Sequence, residues 1–540
     1  MPTQIVSWSF KDTTDGLLVA NSLPSEHLAE SLADLLEHLT TEVEHSMNIL
    51  WDIDEDITPV LRLLGEPACR TLSEKGEVTI RPYRVSYTPG HLFSIMDFDS
   101  GFLTEFYCLK QFLPEYPEPD DINQLYLWGR MAHKVIGEIG LNPTRLYSIG
   151  NIFANGVLKT LNIPTWRDLP EKVAEYALYC SKRQWIEALQ IGHWEQATDL
   201  DLTAAYPSRM INLVDHRFCA WKQWRPETRI PDNAIYGYFK CHFNIRKDVS
   251  LHPVITYVYE EPMSCTGEFI DYINLATLKW FQENSKRLGS MEILDGAYCV
   301  PNRPDFAEYR MTYPLLQIIP RLLSKRTKFE PIRDMIAKVG INSLGGYLSM
   351  VTTKDGQDAM GDWCNPVWAT EFTTATRLEV VNFIYRNHLE PNVLHISVDG
   401  VLCDKEHALT AIDSAAGWRS SYTGPALILS TGRIFLGKRH PGGLTYHDAV
   451  SMVRSDPGNC AWHATETRRM TLAEAVTANA IDKLGTPIET TQSLHLFPSH
   501  RRYFKKTPST GTDLLSNHYT SVPFHVKVEK PVKEAASRAK

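Results

Sequence analysis

The chain has 540 residues, of which 43% are hydrophobic and 22% charged, a balance that buries a sizeable core and excludes a disordered chain. Its net charge of −9 does not by itself suggest a nucleic-acid partner, but the charge is unevenly spread. Residues 1–62 hold twelve acidic residues against Lys11 and Arg62, whereas residues 501–540 hold nine Lys and Arg against Asp513, Glu529 and Glu534, so polyanion contacts are expected away from the acidic N-terminal part.

No stretch approaches the roughly 18 apolar residues of a membrane span, and residues 1–10 lack a signal-peptide pattern. The ten cysteines include no CxxC pair, which excludes a disulfide scaffold or a zinc ribbon. Cys460-Ala461-Trp462-His463 has no second half for a metal site. A soluble, cytoplasmic protein of several domains is expected.

In chain order, Gln4 to Ala20 alternates like two strands around a turn, and Ser25 to Leu39 has apolar residues at helical spacing with Ser25 as N-cap. Asn48 to Trp51 reads as a strand, and helices are predicted over 57–64, 121–139 and 169–189. This opening indicates an α/β domain. Strands follow over 198–202, 236–243 and 254–259, then helices over 270–285, 313–344 and 370–387. The strand pair Val393 to Ser397 and Gly400 to Cys403 closes an α+β region.

Three segments carry chemistry together: Asp199-Leu200-Asp201 with Tyr206-Pro207; Lys338 to Gly346 with Asn342; and His395 to Gly400 with Asp399. A carboxylate at a strand end before a turn can hold Mg²⁺ against a triphosphate, and a second on a neighbouring hairpin completes a two-metal clamp. Lys338 and Asn342 lie four residues apart on one helix face, suited to gripping the triphosphate and the nucleotide.

In order and spacing these segments resemble the three polymerase motifs of family B DNA polymerases, most closely the compact protein-primed branch of phages and mobile elements. The resemblance implies an RNase H-like, exonuclease-type domain over 1–185. It implies palm and fingers over 186–440, with an insertion at about 215–325, and a thumb with a basic tail over 441–540. It implies that Asp201 and Asp399 bind Mg²⁺ or Mn²⁺, that the Leu202 amide faces the triphosphate, and that Tyr206 is the gate favouring deoxyribose. Lys338 and Arg326, on one helical run, would bind triphosphate oxygens, Asn342 the nucleotide, and Arg433 would stand near the primer terminus. The implied activity is template-directed DNA synthesis from dNTPs, with DNA, dNTPs and a terminal protein as partners, no membrane, and a bacterial host.

Several positions depart from the family pattern. Ser397 replaces the first acid of the third motif, and Asp199, on the same strand face as Asp201, is a candidate to compensate. Gly345 replaces a tyrosine that packs on the nascent base pair. In the exonuclease motifs Ser9, Lys11 and Arg130 stand at carboxylate positions and only Asp56 matches, so no proofreading is expected. The second insertion of the branch is cut to 351–365. Arg501, Arg502, Lys505 and Lys506, interleaved with aromatic rings, are expected to hold duplex phosphates. The alternative is a catalytically decayed homologue that binds DNA or a protein.

Overall fold

The computed structural model describes residues 4–23, 25–41, 46–114, 116–141, 143, 145–181, 184–258, 261–302, 312–327, 329–354, 357–404, 417–437, 444–456, 461–495, 502–506, 515 and 518–526. The chain divides into two compact units, the first made of 1–162, 320–344 and 467–490, the second of 163–319, 345–466 and 491–540. The division does not follow the expected boundaries at 185 and 440. Residues 441–540, expected as one block, are shared between the units.

The first unit is built on eight strands: β1 Gln4–Asp12, β2 Leu17–Asn21, β3 Ser25–Ala29, β4 Ser46–Leu50, β5 Glu77–Ile80, β6 Tyr83–Thr88, β7 Leu92–Asp97 and β8 Leu103–Cys108. Their order in the sheet is β3-β2-β1-β4-β8-β7-β6-β5. β4 runs parallel to both β1 and β8, while the other pairs are antiparallel. Met47, Asn48, Ile49 and Leu50 are all buried, as befits a parallel strand covered on both faces.

The helix Ile122–Glu138 starts at Asp121, whose side chain accepts from the Gln124 amide at 2.8 Å, an ordinary N-cap. It lies so close to the sheet that a Cβ on Gly129 would fall 2.3 Å from Ile49 Cδ1. Residues 467–490 complete this unit. Leu472, Ala475, Val476 and Ile481 share its core with Leu61, Cys69 and Leu72.

One expected helix is shorter than its apolar spacing suggests. Residues Ser25–Ala29 form β3, paired with β2, and the helix runs over Leu32–Thr41. Ser31 rather than Ser25 lies at its start, its hydroxyl accepting from the Asp34 amide at 3.2 Å. Strand pairing prevailed over local periodicity in this five-residue stretch.

The second unit holds the largest sheet. Its strands include β9 Ile186–Ala188, β10 Gln190–Leu202, β11 Cys219–Gln223, β12 Tyr236–Ile245, β13 Ile255–Val258, β14 Glu261–Asn274 and β15 Gly289–Pro301. A short hairpin, β16 Val351–Lys354 and β17 Gln357–Met360, stands where the curtailed insertion was expected. β18 Val393–Ser397, β19 Gly400–Asp404, β20 Trp418–Ser430 and β21 Arg433–Leu436 follow. β22 Ala461–Arg469 and β23 Pro487–His495 pair separately, and β24 Arg502–Lys506 and β25 Tyr519–Val526 end the set.

The main order is β11-β15-β12-β14-β25-β10-β19-β18-β9. The C-terminal strand β25 therefore sits inside the sheet, parallel to β14 and antiparallel to β10. Phe239, Phe243, Phe269, Phe281 and Phe383 fill the core beneath, and Phe383 stacks on Trp418 at 4.0 Å.

Two further helices differ from the sequence reading. β14 extends to Asn274, so the helix expected from Ile270 begins at Leu275, with the Asn274 side chain accepting from the Thr277 amide. The long run expected over 313–344 is broken into Ile319–Leu323 and Pro331–Leu348, with Ser324 and Lys325 in a turn between them. Pro331 opens the second helix, where a missing N–H costs nothing.

Candidate active site

β10 and β19 bring two of the expected carboxylates to one end of the sheet. Asp201 is paired across the ladder with Gly400, the residue after Asp399. β18 and β19 form a hairpin in which Ser397 pairs with Gly400, leaving Val398 and Asp399 as the two-residue turn. Val398 has φ 56°, a left-handed conformation that is costly for a β-branched residue. Its amide donates to the Trp185 carbonyl at 2.8 Å, which helps fix the turn.

Both Asp201 and Asp399 are partly exposed. Gly400 lies beside the first carboxylate: a Cβ there would sit 3.0 Å from Asp201 Oδ1 and 3.3 Å from the Leu200 carbonyl. Asp199, two residues back, is only 5% exposed and accepts from Ser421 Oγ at 2.8 Å. It is anchored inside the sheet rather than presented beside Asp201, so its expected compensating role is corrected.

The Leu202 amide is also corrected. It donates to the Asp399 carbonyl at 3.0 Å, and so joins the two strand ends instead of facing outward. Tyr206 follows in the first turn of the helix Ala205–Met210, which starts from Ala204 at φ 49°. Its hydroxyl accepts from Gln184 Nε2 at 3.4 Å. Burial, with the Asp399 charge adding, pushes the Tyr206 phenol up to about 12, so it stays neutral at ordinary pH.

Arg433 is half-buried at the start of β21, just after the tight turn from Ser430. The remaining residues expected to bind the nucleotide belong to the first unit. Lys338 and Asn342 are exposed one helical turn apart on Pro331–Leu348. Arg326 is not on that helix, as its shared helical run implied. It lies in the preceding turn, with Nε and Nη2 on the Asp334 carboxylate at 3.0 and 3.2 Å.

The basic C-terminal cluster divides. Lys505 is exposed on β24. Arg502 is not a surface cation: its side chain is 1% exposed and faces the equally buried Glu187 at 3.3 Å. It also donates to Ser521 Oγ and the Ser250 carbonyl. A guanidinium so enclosed cannot reach a phosphate. Arg501 lies outside the described residues, as does the side chain of Lys506.

The donors at the sheet end suit a divalent cation of a particular kind. Mg²⁺ is commonly held through one or two carboxylates together with substrate phosphates. Asp201 and Asp399 supply that number. Among the described residues, no group of three or more His, Cys, Asp or Glu forms an all-protein cage. Two carboxylates are what the protein side of such a site needs.

Among solved structures, phi29 DNA polymerase complexed with primer-template DNA matches over 92% of this chain and 100% of its own, with a TM-score of 0.62 and 12% identity. This chain has that polymerase's fold. The same enzyme complexed with primer-template DNA and incoming nucleotide substrates matches over the same shares with a TM-score of 0.59 and 11% identity. Complexed with single-stranded DNA, it gives 0.58 and 12%. No protein-family model matches the sequence, and no curated protein does at a significant level. The multidomain polymerase fold expected from the three motifs is therefore found at the level of the whole chain.

Proposed function

We propose that this protein is a template-directed DNA polymerase that adds dNTPs to a primer 3′-OH and lacks proofreading. The observation that carries the reading is the pairing of Asp201 with Gly400, which sets Asp201 beside the Asp399 turn in a chain with the phi29 polymerase fold. In this reading the second unit contributes the palm. The helix bearing Lys338 and Asn342 contributes the fingers, and the β22–β25 region contributes to the thumb. The order β3-β2-β1-β4-β8, with β1, β4 and β8 parallel, supports an RNase H-like ancestry for the first unit.

Each residue then has a task. Asp201 and Asp399 would hold the divalent cations. Bound there, the cations would stabilise the charge that develops on the attacking and leaving oxygens. Lys338 and Arg326 neutralise the triphosphate, Asn342 positions the nucleotide, and Tyr206 stands against the sugar 2′ position. Arg433 lies by the primer end. A terminal protein that supplies the priming hydroxyl is the partner expected for this branch, and a phage or mobile element in a bacterial cell is the expected setting.

Ser397 favours a second reading, a DNA-holding protein without synthesis, because it removes one negative charge from the hairpin. Primer extension with Mg²⁺ or Mn²⁺ decides between the two. Extension by the wild type that is lost in Asp201→Asn and Asp399→Asn supports synthesis. DNA binding with no extension in either metal would establish the second reading.

A further inference from the structure

We infer that Phe372 is a positioning residue for Tyr206, holding its ring in place from the space above Gly345. The inference rests on the reading of Tyr206 as the sugar gate and adds a residue to it. Phe372 belongs to the helix Pro366–Arg386 and is 1% exposed. Its ring meets that of Tyr206 edge to face, with centroids 5.1 Å apart and planes at 63°, a favourable aromatic geometry. A Cβ on Gly345 would lie 3.4 and 3.6 Å from Phe372 Cζ and Cε2, and 4.0 Å from Tyr206 Cδ2. Three residues distant in sequence thus share one packing site: a small one, a large one, and the gate.

The Phe372 helix is tied down on both sides of the contact. Asn365 caps the Phe372 helix through the Trp368 amide at 3.0 Å, and its Nδ2 donates to the Pro164 carbonyl at 2.8 Å. Arg209, one turn after Tyr206, faces Glu379 of the same helix at 3.7 Å. Tyr206 is therefore held at its ring by Phe372 and at its hydroxyl by Gln184. With that ring contact removed, the Tyr206 ring is free to swing toward the vacated space and concede room to a 2′-OH. The same contacts explain how position 345 can do without a ring of its own. A Cβ there would already be in van der Waals contact with Phe372, so a large side chain at 345 would compete with that ring for the same space.

The test is single-nucleotide incorporation with matched dNTP and rNTP. Phe372→Leu, which keeps apolar bulk, should raise the rNTP/dNTP ratio of kcat/KM severalfold, and Phe372→Ala by roughly tenfold or more. The change should come through a lower KM for rNTP, which simple loss of stability would not produce. Gly345→Tyr should be severely impaired alone, and adding Phe372→Ala should restore dNTP incorporation, because the new ring takes the vacated space. Should Phe372→Ala not fold, Phe372→Leu and the ¹⁹F resonance of fluorotyrosine at 206 decide the matter, the line shifting when its neighbour is cut back. An unchanged ratio and an unchanged resonance, in a wild type that incorporates dNTPs, would overturn the role of Phe372 and leave the polymerase reading standing. No dNTP incorporation by the wild type at all would overturn both.

Discussion

Gly400 is packed against the Asp201 carboxylate, with only 3.0 Å between Oδ1 and the place a Cβ would take. Because the Leu200 carbonyl stands at 3.3 Å on another side, an added methyl must displace either main chain or carboxylate. The carboxylate is the softer of the two. Gly400→Ala is expected to shift it by a few tenths of an ångström and reduce incorporation about ten- to a hundredfold, the scale at which misplacement costs rate. Gly400→Leu should be inactive, with DNA binding retained in both. Steady-state incorporation across a Mg²⁺ titration checks this, and an alanine variant equal to wild type at limiting Mg²⁺ would show that the carboxylate is not held there.

The first unit is expected to have no 3′–5′ exonuclease activity. Ser9 and Lys11 are exposed on β1, and the Arg130 guanidinium lies over the Tyr126 ring at 5.7 Å. The acids over 52–56 are engaged locally. Asp52 pairs with Lys110 at 2.6 Å, Asp54 accepts from the Tyr87 hydroxyl and the Gly90 amide, and Asp56 accepts from the Asp52 amide at 3.0 Å. Burial pushes the Asp56 carboxyl up to about 7, which disfavours the charged form a metal needs. A 5′-labelled single strand should stay full length with Mg²⁺ or Mn²⁺. Shortening that disappears in Asp56→Ala would refute this.

The site was more legible in the sequence than its surroundings. Asp201, Tyr206 and Asp399 were picked out as candidates by the order and spacing of three short segments, and the β18–β19 hairpin needed only local reading. Gly400 carried a signal as well, since a glycine after an acid in a two-residue turn invites close packing. Phe372 carried none: in a helix with thirteen buried residues, one phenylalanine looks like any other core ring. The inward turn of Arg502 was equally hidden, because Glu187 is 315 residues away in the chain and a basic run reads as surface. Ser25 to Leu28 failed for another reason. Its apolar spacing suits a helix or an edge strand, and pairing with β2 decided.

Glu371 should make the second unit less stable as pH rises. Its carboxylate accepts from Tyr238 Oη at 3.2 Å and Asn274 Nδ2 at 3.1 Å in a partly buried position. Burial raises it from the ordinary 4.5 to about 7. The folded state thus holds the proton more tightly than the unfolded state. No cost is felt below the unfolded value, and stability falls as pH climbs between 4.5 and about 7, reaching a loss on the order of 1–3 kcal/mol. Glu371→Gln keeps an acceptor for both donors and removes the titration. Its thermal midpoint should match wild type near pH 4.5 and exceed it at pH 8, and a gap that does not widen with pH would rule this out.

The C-terminal hairpin should separate charge that meets DNA from charge that holds the fold. Lys505 is exposed on β24, and the half-exposed Tyr503 ring stacks on Phe524 at 4.5 Å. Lys505→Ala with Lys506→Ala is expected to weaken duplex binding and flatten the log–log salt slope by about one unit per lost phosphate contact, roughly two in all. Arg502→Ala should act differently. It strands a buried Glu187 carboxylate, a loss of about 3–5 kcal/mol when one partner of a buried pair is removed, and it removes the bond from Arg502 on β24 to Ser521 on β25. The salt slope should remain, because Arg502 has no route to a phosphate. Replacing both partners, Arg502→Met with Glu187→Leu, should recover most of the lost stability. Denaturant unfolding and DNA titrations at several salt concentrations distinguish the two kinds of cation. A flattened slope in the Arg502→Met, Glu187→Leu variant would mean that this arginine meets DNA after all.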